Sequence, residues 1–130
     1  MSTLVEKIKP FAVMEPGERL LCAVYARATS GPTKGPAVVA VSDRRLLVAP
    51  RSAFMSASAW TRRRLRDARV LAPERGPLGI RDGRTIHVWD DYGDVLAFEF
   101  DRRKEARVVR AALSHGAPTL DRGSAGARPR

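Results

Sequence analysis

Two apolar runs divided by a polar corner constrain this chain more than any other feature. Val38-Val39-Ala40-Val41 leads into Ser42-Asp43-Arg44-Arg45, and Leu46-Leu47-Val48-Ala49 follows before Pro50-Arg51. Short β-branched and aliphatic runs bracketing a turn are how a β-hairpin is written. Such residues suit a pleated, half-buried surface, and Ser42 and Asp43 can hydrogen-bond their own backbone through a tight turn. The rest of the chain has to supply strands for this hairpin to pair with and a core for it to cover.

The 130 residues fit one domain with tails, and a hydrophobic content of 44% is enough for a real core. The charge is less ordinary: 24 Lys and Arg against 14 Asp and Glu give a net +10. Most of that is arginine, since the lysines are only Lys7, Lys9, Lys34 and Lys104. A positive excess of this size attracts nucleic acid, acidic lipid or acidic protein. Cys22 is the single cysteine, which rules out an intrachain disulfide and points to a reducing compartment. Met1–Met14 is charged where a secretory leader would be apolar, and no apolar run is long enough to span a bilayer. The expectation is a cytoplasmic protein, with the periphery of a membrane as the alternative location.

Residues 1–14 read as a helical lead-in. Leu4, Ile8 and Phe11 recur at helical spacing, and Pro10 should stop or kink the helix near Lys9. After Pro16-Gly17 a long strand is expected over Glu18–Thr29. Leu20, Cys22, Val24 and Ala26 fall on one face, with Arg19, Tyr25 and Arg27 on the other. Ser30–Pro36 is a loop whose glycines and Lys34 do not match the spacing of a phosphate-binding loop, and a strand rather than a helix follows it. Beyond the hairpin, a fourth strand over Ser58–Leu65 carries Trp60, Arg62 and Arg64 on one face, with Thr61, Arg63 and Leu65 opposite. A fifth covers Ala68–Ala72. Pro77–Ile80 reads as a break and Arg81–Arg84 as a turn. Thr85–Asp90 and Asp94–Phe100 then form a hairpin around Asp91-Tyr92-Gly93, with Leu96, Phe98 and Phe100 facing inward. Asp101 is placed as the N-cap of a helix running to about Ser114. Ala106, Val109, Ala112 and Leu113 point inward, and Arg103, Lys104, Arg107 and Arg110 outward. Residues 115–130, rich in Gly, Ala, Pro and Arg, read as a disordered basic tail.

About seven short strands closed by one amphipathic helix predict a mainly β fold, a small antiparallel barrel or sandwich with a helix over its open end. Strands in unbroken succession exclude a parallel α/β fold. Residues 15–114 also carry a pattern of motifs. Pro16-Gly17-Glu18-Arg19-Leu20 opens the first strand, and Val41-Ser42-Asp43-Arg44-Arg45-Leu46-Leu47-Val48 forms the hairpin corner. Leu65-Arg66-Asp67-Ala68-Arg69-Val70 follows, and Phe100-Asp101 joins the last strand to the helix. In order and spacing these resemble small bacterial pleckstrin-homology-like domains, related to GRAM domains. The resemblance implies a PH-like fold without enzymatic activity. Phosphoinositide-binding members of the wider superfamily place basic residues at the end of the first strand and along the second. Arg27 and Lys34 match that region loosely, while Pro36–Ser42 carries no basic residue.

Catalytic and metal chemistry find no foothold in the residues. The histidines, His87 and His115, are far apart, no serine sits in a nucleophile elbow, and Cys22 has no base nearby. Asp90, Asp91 and Asp94 surround Gly93 but lack the spacing of a calcium loop. No cofactor and no small-molecule substrate are expected. The candidate binding residues are Trp60, Arg62, Arg64 and Arg66 in the basic-aromatic stretch Trp60–Arg69, with Arg27 and Lys34 beside the first loop. Arginines can contact phosphates, and an exposed Trp60 or Trp89 could stack on a base or sit at a lipid interface. Two functional classes follow. The favoured one is a non-catalytic interaction module that docks a protein partner or a second copy of itself. The other is an electrostatic binder of acidic membrane or nucleic acid, marked by steep salt dependence.

Overall fold

The structure, a computed structural model, describes residues 3–31, 34–71, 83–90, 94–117 and 119–120. Helix α1 (Thr3–Ala12) precedes strands β1 (Leu20–Ala28), β2 (Gly35–Ser42), β3 (Arg45–Pro50), β4 (Thr61–Arg64), β5 (Ala68–Leu71), β6 (Thr85–Asp90) and β7 (Val95–Glu99). Helix α2 (Arg103–Leu113) and a short strand β8 (Thr119–Leu120) follow. The strands form one sheet in the order β4-β3-β2-β1-β7-β6-β5-β8, antiparallel except for the β5–β8 pair. The sheet folds back on itself. Val39, Val41, Leu46 and Val48 from one half meet Val70, Ile86, Val88 and Phe98 from the other, and α2 closes the core with Ala106, Val109, Ala112 and Leu113. The predicted core stripe of α2 is therefore the observed one.

The central hairpin pairs as predicted, Val41 opposite Leu46 and Val39 opposite Val48, but it is buried on both faces. Val38, Ala40, Leu47 and Ala49 point away from the main core into a second cluster beneath α1, with Leu4, Ile8, Ala12 and Trp60. That explains why both runs are continuously apolar rather than alternating. The same burial explains why Pro10 does not end α1. Proline removes one backbone donor, yet Ala12, two residues beyond it, is fully buried and draws the last turn onto the sheet.

Four other expectations are revised. A bulge between Leu20 and Cys22 shifts the alternation of β1, so Leu20 joins the α1 side and Leu21 the main core. The expected fourth strand is shorter than Ser58–Leu65, because single 3₁₀ turns occupy Ala57–Ala59 and Leu65–Asp67 on either side of β4. Arg102, not Asp101, holds the N-cap position of α2, where the Glu105 carboxylate accepts its N–H at 3.3 Å. Arg110 does not point freely outward but donates to the carbonyls of Leu71 (3.0 Å) and Thr85 (3.3 Å).

The packed chain also continues past Ser114. Ala117 is buried, and Thr119 and Leu120 pair with Val70 and Leu71. Gly116 lies so close to Leu65 that a Cβ there would come within 2.9 Å of the leucine Cβ. The Asp91-Tyr92-Gly93 turn, the Pro77–Ile80 break, the Arg81-Asp82 half of the turn after it and the tail beyond Leu120 lie outside the described residues.

Candidate functional site

The basic-aromatic stretch Trp60–Arg69 is engaged in large part by the fold itself, with Arg64 and Arg66 exposed. Trp60 is only 5% exposed. It sits in the α1-side cluster and donates its indole N–H to the Phe54 carbonyl at 2.9 Å. An exposed stacking tryptophan is thus replaced by a buried anchor, because Trp60 closes the cluster that α1 covers. The Arg62 guanidinium donates to the carbonyls of Phe11 and Ala12 (3.4 Å each), Ala57 (3.1 Å) and Trp60 (3.2 Å). Those first two carbonyls end α1, where a cation satisfies unpaired acceptors and favours the helix dipole. Arg63, on the opposite face of β4, reaches across to Asp90 on β6 at 2.7 Å, tying the two halves of the sheet together. Asp90 also accepts the Asp94 N–H at 3.0 Å, so its carboxylate is held from both β4 and the start of β7. Arg64 forks onto Glu15, and that hydrogen bond is the main reason the Glu15 carboxyl lies below its ordinary range. Arg66 is exposed, on the 3₁₀ turn, and Trp89 is half-buried.

The two other predicted residues lie elsewhere. Arg27 and Lys34 are exposed at the loop end of β1 and β2. Arg51, which sequence reasoning did not single out, stacks its guanidinium on Tyr25 at 3.9 Å from the ring centre and shares a shallow depression with Arg27 and Asp101.

Two of the motifs that carried the resemblance, Pro16–Leu20 and Val41–Val48, meet in one buried cluster. Glu18, whose side chain is 0% exposed, accepts from Arg45 Nε (2.8 Å) and Nη2 (2.6 Å), while Arg45 is itself 8% exposed. Ser42 Oγ donates to the same carboxylate and accepts the N–H groups of Arg44 (3.0 Å) and Arg45 (2.8 Å). Arg45 Nη2 also reaches the Val13 carbonyl at 2.9 Å, and Val13 holds a left-handed backbone with φ 55° to present it. Burial alone would push the Glu18 carboxyl up. Hydrogen bonds from Arg45, the Glu15 N–H and Ser42 outweigh it and hold the group at about 2. The Ser-Asp-Arg-Arg corner is therefore a joint between the hairpin and the entry to β1, while on its outer side Asp43 and Arg44 line an open depression of about 280 Å³ with Arg64 and Arg66.

What remains open is the edge of β1. Strand β1 pairs with β2 along its whole length but with β7 only at Arg27 and Ala28. Beyond that point β7 has ended, and a groove of about 380 Å³ runs along Leu20–Val24 between α1 (Val5) and α2 (Val108). Its lining is mostly apolar: Leu20, Leu21, Cys22 and Val24 form the floor. Val108 is 44% exposed although α2 has a complete core-facing stripe without it. An apolar residue off the stripe was the sequence signal for this wall. The vacated side of β1 was not legible, because it depends on where β7 stops in space. Burial pushes the Cys22 thiol up to about 11, so it is a packed apolar group there and not a nucleophile. Among the described residues, no group of three or more His, Cys, Asp or Glu could hold a metal ion, and no helix is long and apolar enough to cross a membrane.

In sequence, no protein-family model and no curated protein matches the chain. In structure it is similar to the linker-DH/PH domains of p115-RhoGEF, with a TM-score of 0.56 and 15% identity over 83% of this chain. It is similar also to the DH/PH fragment of PDZRhoGEF in complex with human RhoA, with a TM-score of 0.58 and 7% identity over 76% of this chain. The match takes in 32% and 28% of those chains, so this chain spans about a third of each. The fold is PH-like: an antiparallel sheet curled into a sandwich with a C-terminal helix across its opening.

Proposed function

We propose that this chain is a non-catalytic interaction module that docks a protein partner along the open edge of β1. The observation that carries the reading is the half-strand Leu20–Val24, left without a sheet neighbour on its β7 side and floored and walled by apolar side chains. An unpaired strand edge offers backbone donors and acceptors to another chain, and natural proteins usually cover or charge such edges. Support comes also from the basic stretch, whose Arg62, Arg63 and Arg64 already have intramolecular partners. One matched PH-bearing fragment is in complex with another protein, human RhoA. An anionic-surface reading rests on a different observation, the exposed Arg27, Lys34 and Arg51 at the loop end.

A photo-crosslinking residue at Val108, with a control at Arg66, tests the two readings in the native host, alongside co-sedimentation with anionic vesicles at physiological salt. Protein docking predicts a discrete protein adduct from position 108 alone and no pelleting with vesicles. Vesicle binding abolished by Arg27→Ala with Arg51→Ala, and no adduct at 108, would overturn it.

A further inference from the structure

The groove also specifies what kind of segment fits it, an inference that rests on the protein-docking reading above. Thr29 donates its N–H to Ala97 on β7 at 2.8 Å. Backbone groups alternate in direction along a strand. The N–H and C=O groups of Arg27, Tyr25 and Ala23 therefore point to that same side. Arg27 meets Glu99, the last residue of β7, whereas Tyr25 and Ala23 lie beyond the end of β7, and Ala23 lines the groove. A segment entering there in extended form would continue the line of β7, antiparallel to β1. Five residues of floor, at about 3.3 Å each, give about 17 Å of track.

The exposed charges beside that track are mostly basic. On α2, Lys104 and Arg107 flank Val108. Both are exposed, and neither has an ion-pair partner among the described residues. At the Leu20 end, Lys9 and Arg19 line an adjoining depression together with Glu18, whose carboxylate Arg45 already holds. Lys9 holds only an exposed contact to Glu6, and the chain as a whole carries +10. Adding a strand supplies affinity through main-chain hydrogen bonds, and alternate side chains supply specificity. Here one face of the added strand meets the apolar floor, and charges at its flanks meet Lys104 and Arg107.

We infer that the β1 edge takes an extended, acidic segment of a partner protein, with apolar side chains at alternate positions, as an added strand between α1 and α2. The test uses the full ¹⁵N-labelled chain and a blocked seven-residue peptide alternating valine with aspartate, beside a counterpart with lysine for aspartate. The acidic peptide should shift the Ala23–Tyr25 amides saturably and slow hydrogen exchange at Ala23 and Tyr25. Lys104→Glu with Arg107→Glu, on a solvent face that leaves the fold intact by circular dichroism, should weaken it at least tenfold. Equal binding of both peptides at these amides would overturn the acidic specificity and leave protein docking standing. Shifts confined to Trp60–Arg69, or no shift with either peptide, would overturn the groove as the docking place. A concentration-dependent dimer that protects the same amides without peptide would replace the acidic segment with a second copy of this chain.

Discussion

Replacing Glu18 by alanine is the substitution from which the account has most to lose. The carboxylate is fully buried and holds both Arg45 nitrogens, the Ser42 hydroxyl and the Glu15 N–H, the last at 2.8 Å. Removing it leaves a guanidinium that is 8% exposed with only the Val13 carbonyl for company. Stranding a buried charge in this way costs about 3–5 kcal/mol. With a urea slope of about 2 kcal/mol/M, the unfolding midpoint should fall by about 2 M, read through the fluorescence of the tryptophans. The pH dependence has a definite sign. The folded carboxyl lies at about 2, below its ordinary 4.5, so its stabilisation is fully present above 4.5 and is lost as the pH falls from there toward 2. The wild-type chain should lose stability steeply across that window, and Glu18→Ala should flatten the profile there. Replacing Glu18 and Arg45 together by leucine should recover much of the loss, since no charge is then left buried. A midpoint shift below about 0.5 M for Glu18→Ala, with an unchanged acid profile, would refute the claim that this joint holds the hairpin to β1.

Three other perturbations probe separate parts of the fold. Trp60→Ala removes the anchor beneath α1 and should destabilise by about 3–5 kcal/mol in chemical denaturation, with the loss of helicity from α1 visible by circular dichroism. Val13→Gly relieves a β-branched residue held at φ 55° and should raise stability by about 1 kcal/mol, measured the same way. Cys22, with its thiol at about 11 and its side chain packed in the main cluster, should resist a thiol-reactive dye at neutral pH and react at once in denaturant. Prompt labelling of the native chain would mean that the groove floor is looser than its packing indicates.

Much of the fold was legible because the local signals agreed with one another. Thr85–Asp90 is the predicted strand, and the α2 stripe of Ala106, Val109, Ala112 and Leu113 packs as its 3.6-residue period requires. The misreadings have a common cause. Periodicity places residues on a face without telling what covers that face. Nothing in the spacing of Val38, Ala40, Leu47 and Ala49 revealed that α1 would bury them, and α1 in turn overrode Pro10 and drew in Trp60. The arginines misled for a related reason. Their density suggested a ligand, whereas Arg62 serves the carbonyls ending α1 and Arg63 serves Asp90, partners remote in sequence. The groove was the least visible feature. Its walls, Val5 and Val108, are ordinary helix residues, and its floor is defined by the place where β7 turns away toward α2.

Amide hydrogen exchange of the free chain tests the openness of the β1 edge most directly. If β1 lacks a neighbour on its β7 side beyond Arg27, the Ala23 and Tyr25 amides should exchange far faster than that of Val24, which points to β2, and that of Thr29, bonded to Ala97. Protection of Ala23 and Tyr25 equal to that of Thr29 would mean the edge is already filled, and the docking surface proposed for it would have to be abandoned.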